Sequence, residues 1–379
     1  MSGTHAEIAG AGLVGLCTAM LLREHGWSVR VHEQSSSVRE IGAGIALHQA
    51  ACVVLDHLGL LDAVLENGID LAASQAIDRT GKILADRPLT GTYRQLAVPR
   101  QTLIRLLAEA AEAAGVEIAA GSRVVGARAG GELLLEGGEA VHADLVIAAD
   151  GFHSAVRESL GLTDRKVERS NGATRALIPH TKGVGRTVLE EWWGRGKRVG
   201  QLPVSRDVLY VYMSSQESDT RATRVPVDGA YWSEQFPGID PVIFEKLSQA
   251  EARHDPYPYV RPTRWSAGTV ALAGDALNAL PPSLGLGVSL GLRNARLLVE
   301  AVSARPGDVP AALAEWESAA RPDTEWVQRW SLFRERLAHD LPAPLAAIRS
   351  RILTRSNGFR GWGRSGRSFD EALITGAAR

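Results

Sequence analysis

The chain has 379 residues, 45% hydrophobic and 22% charged, with a formal net charge of −1 and a pI near 6.8. That balance carries no charge excess of the kind that draws a protein to nucleic acid or an anionic membrane, and the length accommodates two domains or one large one. The two cysteines, Cys17 and Cys52, cannot build a disulfide framework and fit a reducing compartment. Cys17 lies in an early helical pattern and reads as a small core filler. The opening MSGTHAEIAGAGLVG has no basic stretch and reads as lacking a signal peptide. No run of about 18 uncharged apolar residues follows. The expected location is the cytoplasm, and neither repeats nor low-complexity segments stand out.

In chain order, residues 6–9 read as a short apolar strand, followed at once by Gly10-Ala11-Gly12-Leu13-Val14-Gly15 and an apolar helix pattern ending at Gly26. Residues 28–34 alternate as a strand, with Val29 and Val31 on one face and Glu33 near the end. This is a compact βαβ unit. Residues 49–66 read as one helix, and 71–98 as short strands with turns near Thr80 and at Thr90-Gly91. Residues 99–115 read as a helix with Pro at the start and Gly beyond the end. From 116 to 150 strands succeed one another, the last being the almost wholly apolar DLVIAA, which suggests burial on both faces. Between 166 and 265 strand-like pieces dominate, with a helical piece at 229–253. WSAGTVALAGD, residues 265–275, returns to buried-strand character. From 288 the chain is largely helical, and its basic tail reads as a helix end and loop packed on the surface.

Three stretches carry chemistry. In GAGLVG, glycines permit a tight turn, close approach of backbone to a pyrophosphate, and tight helix–strand packing. Free N–H groups and the helix dipole attract phosphate there. Glu33, at the end of the next strand, suits hydrogen bonds from ribose hydroxyls of either NAD or FAD. The second stretch is DLVIAADGFHSAVRESLG, where a buried strand runs into Asp150-Gly151. The third is GDALNALPPSLGLG, residues 274–287, where another buried strand runs into Gly274-Asp275 and a loop rich in Pro and Gly.

In this order and spacing the three motifs resemble the class A flavoprotein monooxygenases, the para-hydroxybenzoate hydroxylase family, over residues 6 to about 305. The middle and C-terminal parts are most similar to the branch that oxygenates pyridine carboxylic acids. The resemblance implies an α/β fold: a Rossmann-like FAD-binding domain of glutathione-reductase type (1–70, 96–165, 266–305), interleaved with a mainly antiparallel β-sheet substrate domain (71–95, 166–265) and a helical C-terminal region (306–379). It implies that Gly10, Gly12, Gly15 and Glu33 hold the ADP half of FAD. Ala43 then lies along the flavin, Arg100 reaches the phosphate region, and Asp150 serves FAD and a transient NADH or NADPH. Asp275 contacts the ribityl chain, and Pro282, Gly285, Leu286 and Gly287 border the ring. The implied reaction inserts one atom of O2 into a hydroxylated aromatic or pyridine carboxylic acid by way of a flavin C4a-hydroperoxide, with ring opening in the pyridine branch. A reductase or dehydrogenase of the same architecture, and a protein that only holds a nucleotide, are the alternatives. The chain departs from the family pattern at Asn278, Leu286, Ser289 and Asn294.

Substrate-side candidates come from the inserted sheet. Arg175 is a partner for a substrate carboxylate or an edge-strand ion pair, and Arg198 is a candidate of the same kind. Tyr210 and Tyr212 share one strand face, suited to binding and deprotonating a ring hydroxyl or to plain sheet packing. Pro282 approaches from the flavin side, as does His48, which as a lone histidine reads either as a catalytic group or as a structural one. Trp192 and Trp193, being adjacent on a strand, face opposite ways, so at most one points into the site. No metal-ligand spacing occurs among the histidines and cysteines. The expected partners are a small aromatic or heteroaromatic acid and O2, with no nucleic acid or membrane, in a monomer or homodimer.

Overall fold

The computed structural model describes residues 4–38, 43–89, 94–180 and 187–340. The expected turn at Thr90-Gly91 and the tail from 341 lie outside the described residues.

The first sheet has six strands in the order Ser266–Ala267, Val270–Leu272, Leu145–Ala148, His5–Ala9, Ser28–Glu33, Glu117–Ala120. From Val270–Leu272 onward every neighbouring pair is parallel. Parallel strands are covered on both faces, and Leu145 through Ala148 are wholly buried. Helix Leu13–Glu24 covers one face and buries Leu16, Cys17 and Leu21. A Cβ at Gly15 would stand 2.0 Å from the Gly10 carbonyl oxygen, so only glycine allows the helix this close to the strand end.

The second sheet has seven strands in the order Ala252–Pro262, Thr163–Pro179, Val208–Gln216, Arg198–Pro203, Val188–Trp193, Ala73–Asp78, Ile83–Pro88. All pairs are antiparallel except Val188–Trp193 with Ala73–Asp78. Side chains alternate. One face carries Ile178, Val211, Met213, Val199 and Trp192, buried under Trp232, Phe236, Phe244 and Leu247. The other carries Tyr210, Tyr212, Arg198, Glu191 and Trp193. Trp192 and Trp193 do part as strand geometry requires, and Trp193 packs with Leu84 and Ala338. A small antiparallel sheet of Gly44–His48, Gln95–Pro99 and Ile69–Asp70 lies against this second face.

Two helical expectations need correction. Residues 49–66 form two helices, Gln49–His57 and Leu61–Glu66, parted at Gly59, whose φ of +69° a continuing helix cannot hold. The 229–253 piece also divides, into Gly229–Gln235 and Pro241–Gln249, and strand Ala252–Pro262 begins within it. The second helix restarts because Asp240 accepts a hydrogen bond from the Val242 N–H with proline at the next position.

Helix Val309–His339 joins all of these parts. Its Trp316 donates to the Asn294 carbonyl at 3.0 Å and its Gln328 to the Val260 carbonyl at 2.8 Å. Ser331 donates to the Pro281 carbonyl, and Arg334 and Glu335 reach the second sheet.

Candidate active site

Gly10, Asp150 and Gly274-Asp275 follow three adjacent parallel strands, at their carboxyl ends. In open α/β sheets that is where nucleotides bind. The cavity there has a volume of about 370 Å³ and is lined by Gly10, Gly12, Glu33, Arg100, Asp150, Asp275 and Gly287, among others. Gly12 caps the first helix, and a Cβ placed on it would meet no protein atom within 4 Å. The space that this glycine leaves open lies on the positive end of the helix, where phosphate is favoured. Glu33 is fixed by the Ala11 N–H at 3.1 Å and the Ser35 N–H at 2.9 Å, and its carboxylate retains lone pairs for ribose hydroxyls.

Asp150 accepts from the Val156 N–H at 3.3 Å through Oδ2, while its buried Oδ1 has no hydrogen-bond partner among the described residues. Burial pushes its carboxyl above the usual range, against hydrogen bonds from Ser154 and from backbone N–H groups. Asp150 lines the cavity, and a buried carboxylate oxygen short of a donor is a group that a bound ligand can complete. Together with the open cradle at Gly12, it fits a bound dinucleotide.

The loop after Asp275 is built from backbone. Gly274 has φ 57° and ψ −139°, and Gly285 is left-handed at φ 69° after the turn Pro282–Leu284. Asp275 and Gly287 line the cavity. The Ala43 carbonyl accepts from the Arg100 N–H at 2.9 Å, which ties that loop to the start of helix Arg100–Ala113. The residues that depart from the family pattern are absorbed by packing. Leu286 is buried with Leu280, Leu290 and Val327 beside Trp326 and Trp330. Ser289 accepts from the His48 N–H at 3.1 Å, and Asn294 donates to Thr324 at 2.9 Å. Asn278 is buried, with an Oδ1 that lacks a partner among the described residues.

Tyr210, Tyr212 and Arg198 come together on the inner face of the second sheet. The Gly44–His48 strand crosses this face so closely that a Cβ at Gly44 would be 2.6 Å from the Tyr210 Cβ. Leu202, Val204, Ile69 and Leu71 complete an apolar wall around Tyr210. Among the described residues the Tyr210 hydroxyl has no hydrogen-bond partner. Burial pushes this phenol up to about 12, with the Arg175 charge opposing, so near neutral pH it is a donor and not a base.

The other candidates have protein partners. Arg175 pairs with Asp255, which also binds Arg253 at 2.8 Å. Arg198 pairs with Glu191 at 3.3 Å, and Tyr212 donates to the same carboxylate at 2.8 Å. His48 sits against Gly285, with the Gln95 side-chain amide 3.4 Å from its Nε2. Burial, then the Arg87 and Arg334 charges, lower this imidazole to about 4, so it is neutral at physiological pH.

Sequence reasoning missed Glu191 and Arg334, and it placed Arg157 on the helical turn of the second motif without a role. Strand alternation through VLEEWW places Glu191 beside Trp193 and opposite Trp192, a usable signal for the first. No comparable signal exists for Arg334, which arrives from a helix 143 positions away. Burial works to raise the Glu191 carboxyl, and the Arg334 and Arg198 charges outweigh it, so the net shift is downward.

A doubly wound nucleotide site joined to an antiparallel sheet that walls an aromatic-lined face is the architecture of an FAD-dependent oxygenase. The chain belongs to the FAD binding domain family, whose model matches residues 3–307, and it is a flavoprotein monooxygenase of that family. It is 34% identical over 351 residues to 2-heptyl-3-hydroxy-4(1H)-quinolone synthase of Mycobacteroides abscessus, covering 91% of this chain and 93% of that one. It is 31% identical to 3-amino-4-hydroxybenzoate 2-monooxygenase of Streptomyces cremeus, over 89% of this chain and 87% of the other. Among solved structures, the tetrameric form of 2-methyl-3-hydroxypyridine-5-carboxylic acid oxygenase superposes with a TM-score of 0.84 at 32% identity, covering 95% and 94% of the two chains. Klebsiella pneumoniae HpxO, complexed with FAD and uric acid, superposes at 0.80 with 25% identity, covering 98% and 97%.

Proposed function

We propose that the chain oxygenates an electron-rich heteroaromatic ring of the 4(1H)-quinolone type, one without a carboxylate, using NADH or NADPH as reductant. One observation carries this choice within the aromatic class. The two arginines that the sheet presents to the substrate side, Arg175 and Arg198, are committed to the chain's own carboxylates, Asp255 and Glu191, and Arg334 shares the second of these. The wall around Tyr210 is otherwise apolar, and the quinolone synthases among the relatives name a ring of this chemistry.

FAD, held by Gly10, Gly12, Gly15, Glu33, Arg100, Asp150 and Asp275, supplies the activation of oxygen when bound. The protein's part is positioning and exclusion of water. Leu202, Val204, Ile69 and Leu71 keep the face dry. The Tyr210 hydroxyl donates to a ring oxygen and orients the carbon to be attacked. His48, neutral beside Gly285, adds no charge at the ring's edge. Ala43 and the loop Pro282–Gly287 border the flavin side. Tyr212 shapes the wall through its bond to Glu191. The same reading puts the protein in the cytoplasm as a monomer or homodimer, consistent with its near-neutral charge; among the described residues no helix is long and apolar enough to cross a membrane.

The test is NAD(P)H oxidation stimulated by a 2-alkyl-4(1H)-quinolone lacking the ring hydroxyl, against hydroxybenzoates and hydroxypyridine carboxylates. The expected result is at least about ten-fold stimulation by the quinolone, with one 18O atom from 18O2 in the product. Stimulation by the acids alone would overturn the choice of ring, and product without 18O would return the dehydrogenase alternative.

A further inference from the structure

We propose that Glu191 is a built-in carboxylate occupying a receptor for organic acids, and that it thereby determines which substrates the oxygenase site accepts. Three donors from separate elements converge on it. Tyr212 donates to Oε1 at 2.8 Å and Arg198 Nη1 lies 3.3 Å from the same oxygen. Arg334, from the long C-terminal helix, donates to Oε2. Two guanidinium groups and a phenol around one carboxylate are what a protein uses to bind an acid ligand.

The receptor is rigid. The two guanidiniums stand over the Trp193 ring, with their carbons 5.2 and 5.3 Å from its centroid. Gly200 makes room for the Tyr212 ring, since a Cβ there would be 2.0 Å from Cε1. Arg198 is 1% exposed. Among the described residues the Nε–H groups of Arg198 and Arg334 are both buried without a hydrogen-bond partner. A buried donor without an acceptor costs stability, so the receptor depends on Glu191 as its acceptor.

The receptor borders the substrate face. The Tyr210 and Tyr212 ring centroids are 6.1 Å apart. Ser331, one helical turn before Arg334, binds the Pro281 carbonyl of the loop by the flavin. With Glu191 in place, a substrate carboxylate finds the Tyr212 hydroxyl and both guanidiniums already engaged. Without it, the same groups accept one.

This inference rests on the proposed oxygenase site for its kinetic arm, and its binding arm is independent of that reading. The FAD-loaded enzyme carrying Glu191→Ala is assayed with the alkylquinolone, with and without tens of millimolar acetate or benzoate. The expected result is a loss of about ten-fold or more in activity, largely restored by the added acid, and a rise in Tm with acid that the unaltered enzyme does not show. Absence of both rescue and Tm rise overturns the proposal. Should Glu191→Ala fail to fold, Glu191→Gln keeps the volume and removes the charge. Its affinity for aromatic acids, read from perturbation of flavin absorbance, is then expected to rise about ten-fold relative to the quinolone; an unchanged ratio overturns the proposal. If the unaltered enzyme responds to no aromatic compound, the functional reading fails, and the Tm arm still decides on Glu191.

Discussion

The Arg157 guanidinium donates to the carbonyl oxygen of Ala276 at 2.9 Å, joining the turn after Asp150 to the residue that follows Asp275. Arg157 is wholly buried, and it also donates to the Phe152 carbonyl at 2.7 Å and to Thr163 at 3.2 Å. One side chain thus sets the spacing between the two carboxylates that face the nucleotide cavity. Arg157→Met retains the apolar stem and removes these donors. Hydrogen bonds to a charged group are each worth about 1.5–3 kcal/mol. The variant is therefore expected to unfold at lower temperature and to bind FAD at least about ten-fold more weakly, read from flavin fluorescence on release. A lower Tm with unchanged FAD affinity would make Arg157 a fold residue only.

How much of this was legible in the sequence follows from the range of the interactions. The nucleotide cradle depends on contiguous residues, because a strand, a glycine turn and a helix start are local events. Gly10, Gly12 and Glu33 therefore stand where the motif puts them. The inner face of the second sheet was half legible: period-two alternation placed Tyr210 with Tyr212 and parted Trp192 from Trp193. What alternation cannot give is the partner. Arg175 and Arg198 are unremarkable strand cations until Asp255 and Glu191 arrive across the sheet and Arg334 from the distant helix. The departures at Leu286 and Ser289 were legible as departures, and their contacts with Val327 and the His48 backbone were not.

Asp150 separates stability from binding. Burial holds its carboxyl above the usual range. A raised carboxyl costs the folded state stability above the unfolded value, and the cost disappears as pH falls. Asp150→Asn is therefore expected to raise the Tm of the FAD-free protein at neutral pH while weakening FAD binding by about ten-fold. Thermal unfolding and flavin titration on the same preparation check both signs. A fall in Tm would contradict the cost of burying the carboxyl, and unchanged FAD affinity would contradict the role of the unpartnered Oδ1.

Arg175 has an expected effect that is nearly nil. Its guanidinium is committed to Asp255, and Arg253 remains on that carboxylate if Arg175 is removed. A partly exposed ion pair whose carboxylate keeps a second cation is worth about 0–1 kcal/mol. Arg175→Ala should leave KM for the quinolone within about three-fold. A large rise in KM confined to acids would restore Arg175 as a carboxylate anchor.

The Tyr210 phenol, pushed up to about 12, stays protonated across the working range. Tyr210→Phe removes one donor at the substrate ring and nothing from the fold, since no described residue accepts from that hydroxyl. The expected loss is about ten- to hundred-fold in kcat/KM, with Tm and FAD affinity unchanged. The pH profile should keep its shape, because the tyrosine does not titrate in the working range. A profile that loses a limb in Tyr210→Phe would assign proton transfer to Tyr210 after all.

His48 makes the fold itself sensitive to acid. Its imidazole is lowered from 6.5 to about 4, first by burial and then by Arg87 and Arg334. The folded state therefore holds this proton less tightly than the unfolded chain does. The stability that His48 allows is complete above about pH 6.5 and is lost as pH falls toward 4, by about 3 kcal/mol at most. His48→Asn retains a polar side chain of similar reach without a titrating ring. The variant should therefore show a smaller drop in Tm between about pH 7.5 and about pH 5 than the unaltered protein. An equal drop in the two proteins would mean that the ring is solvated enough to accept its proton in the folded state, and that acid sensitivity arises elsewhere.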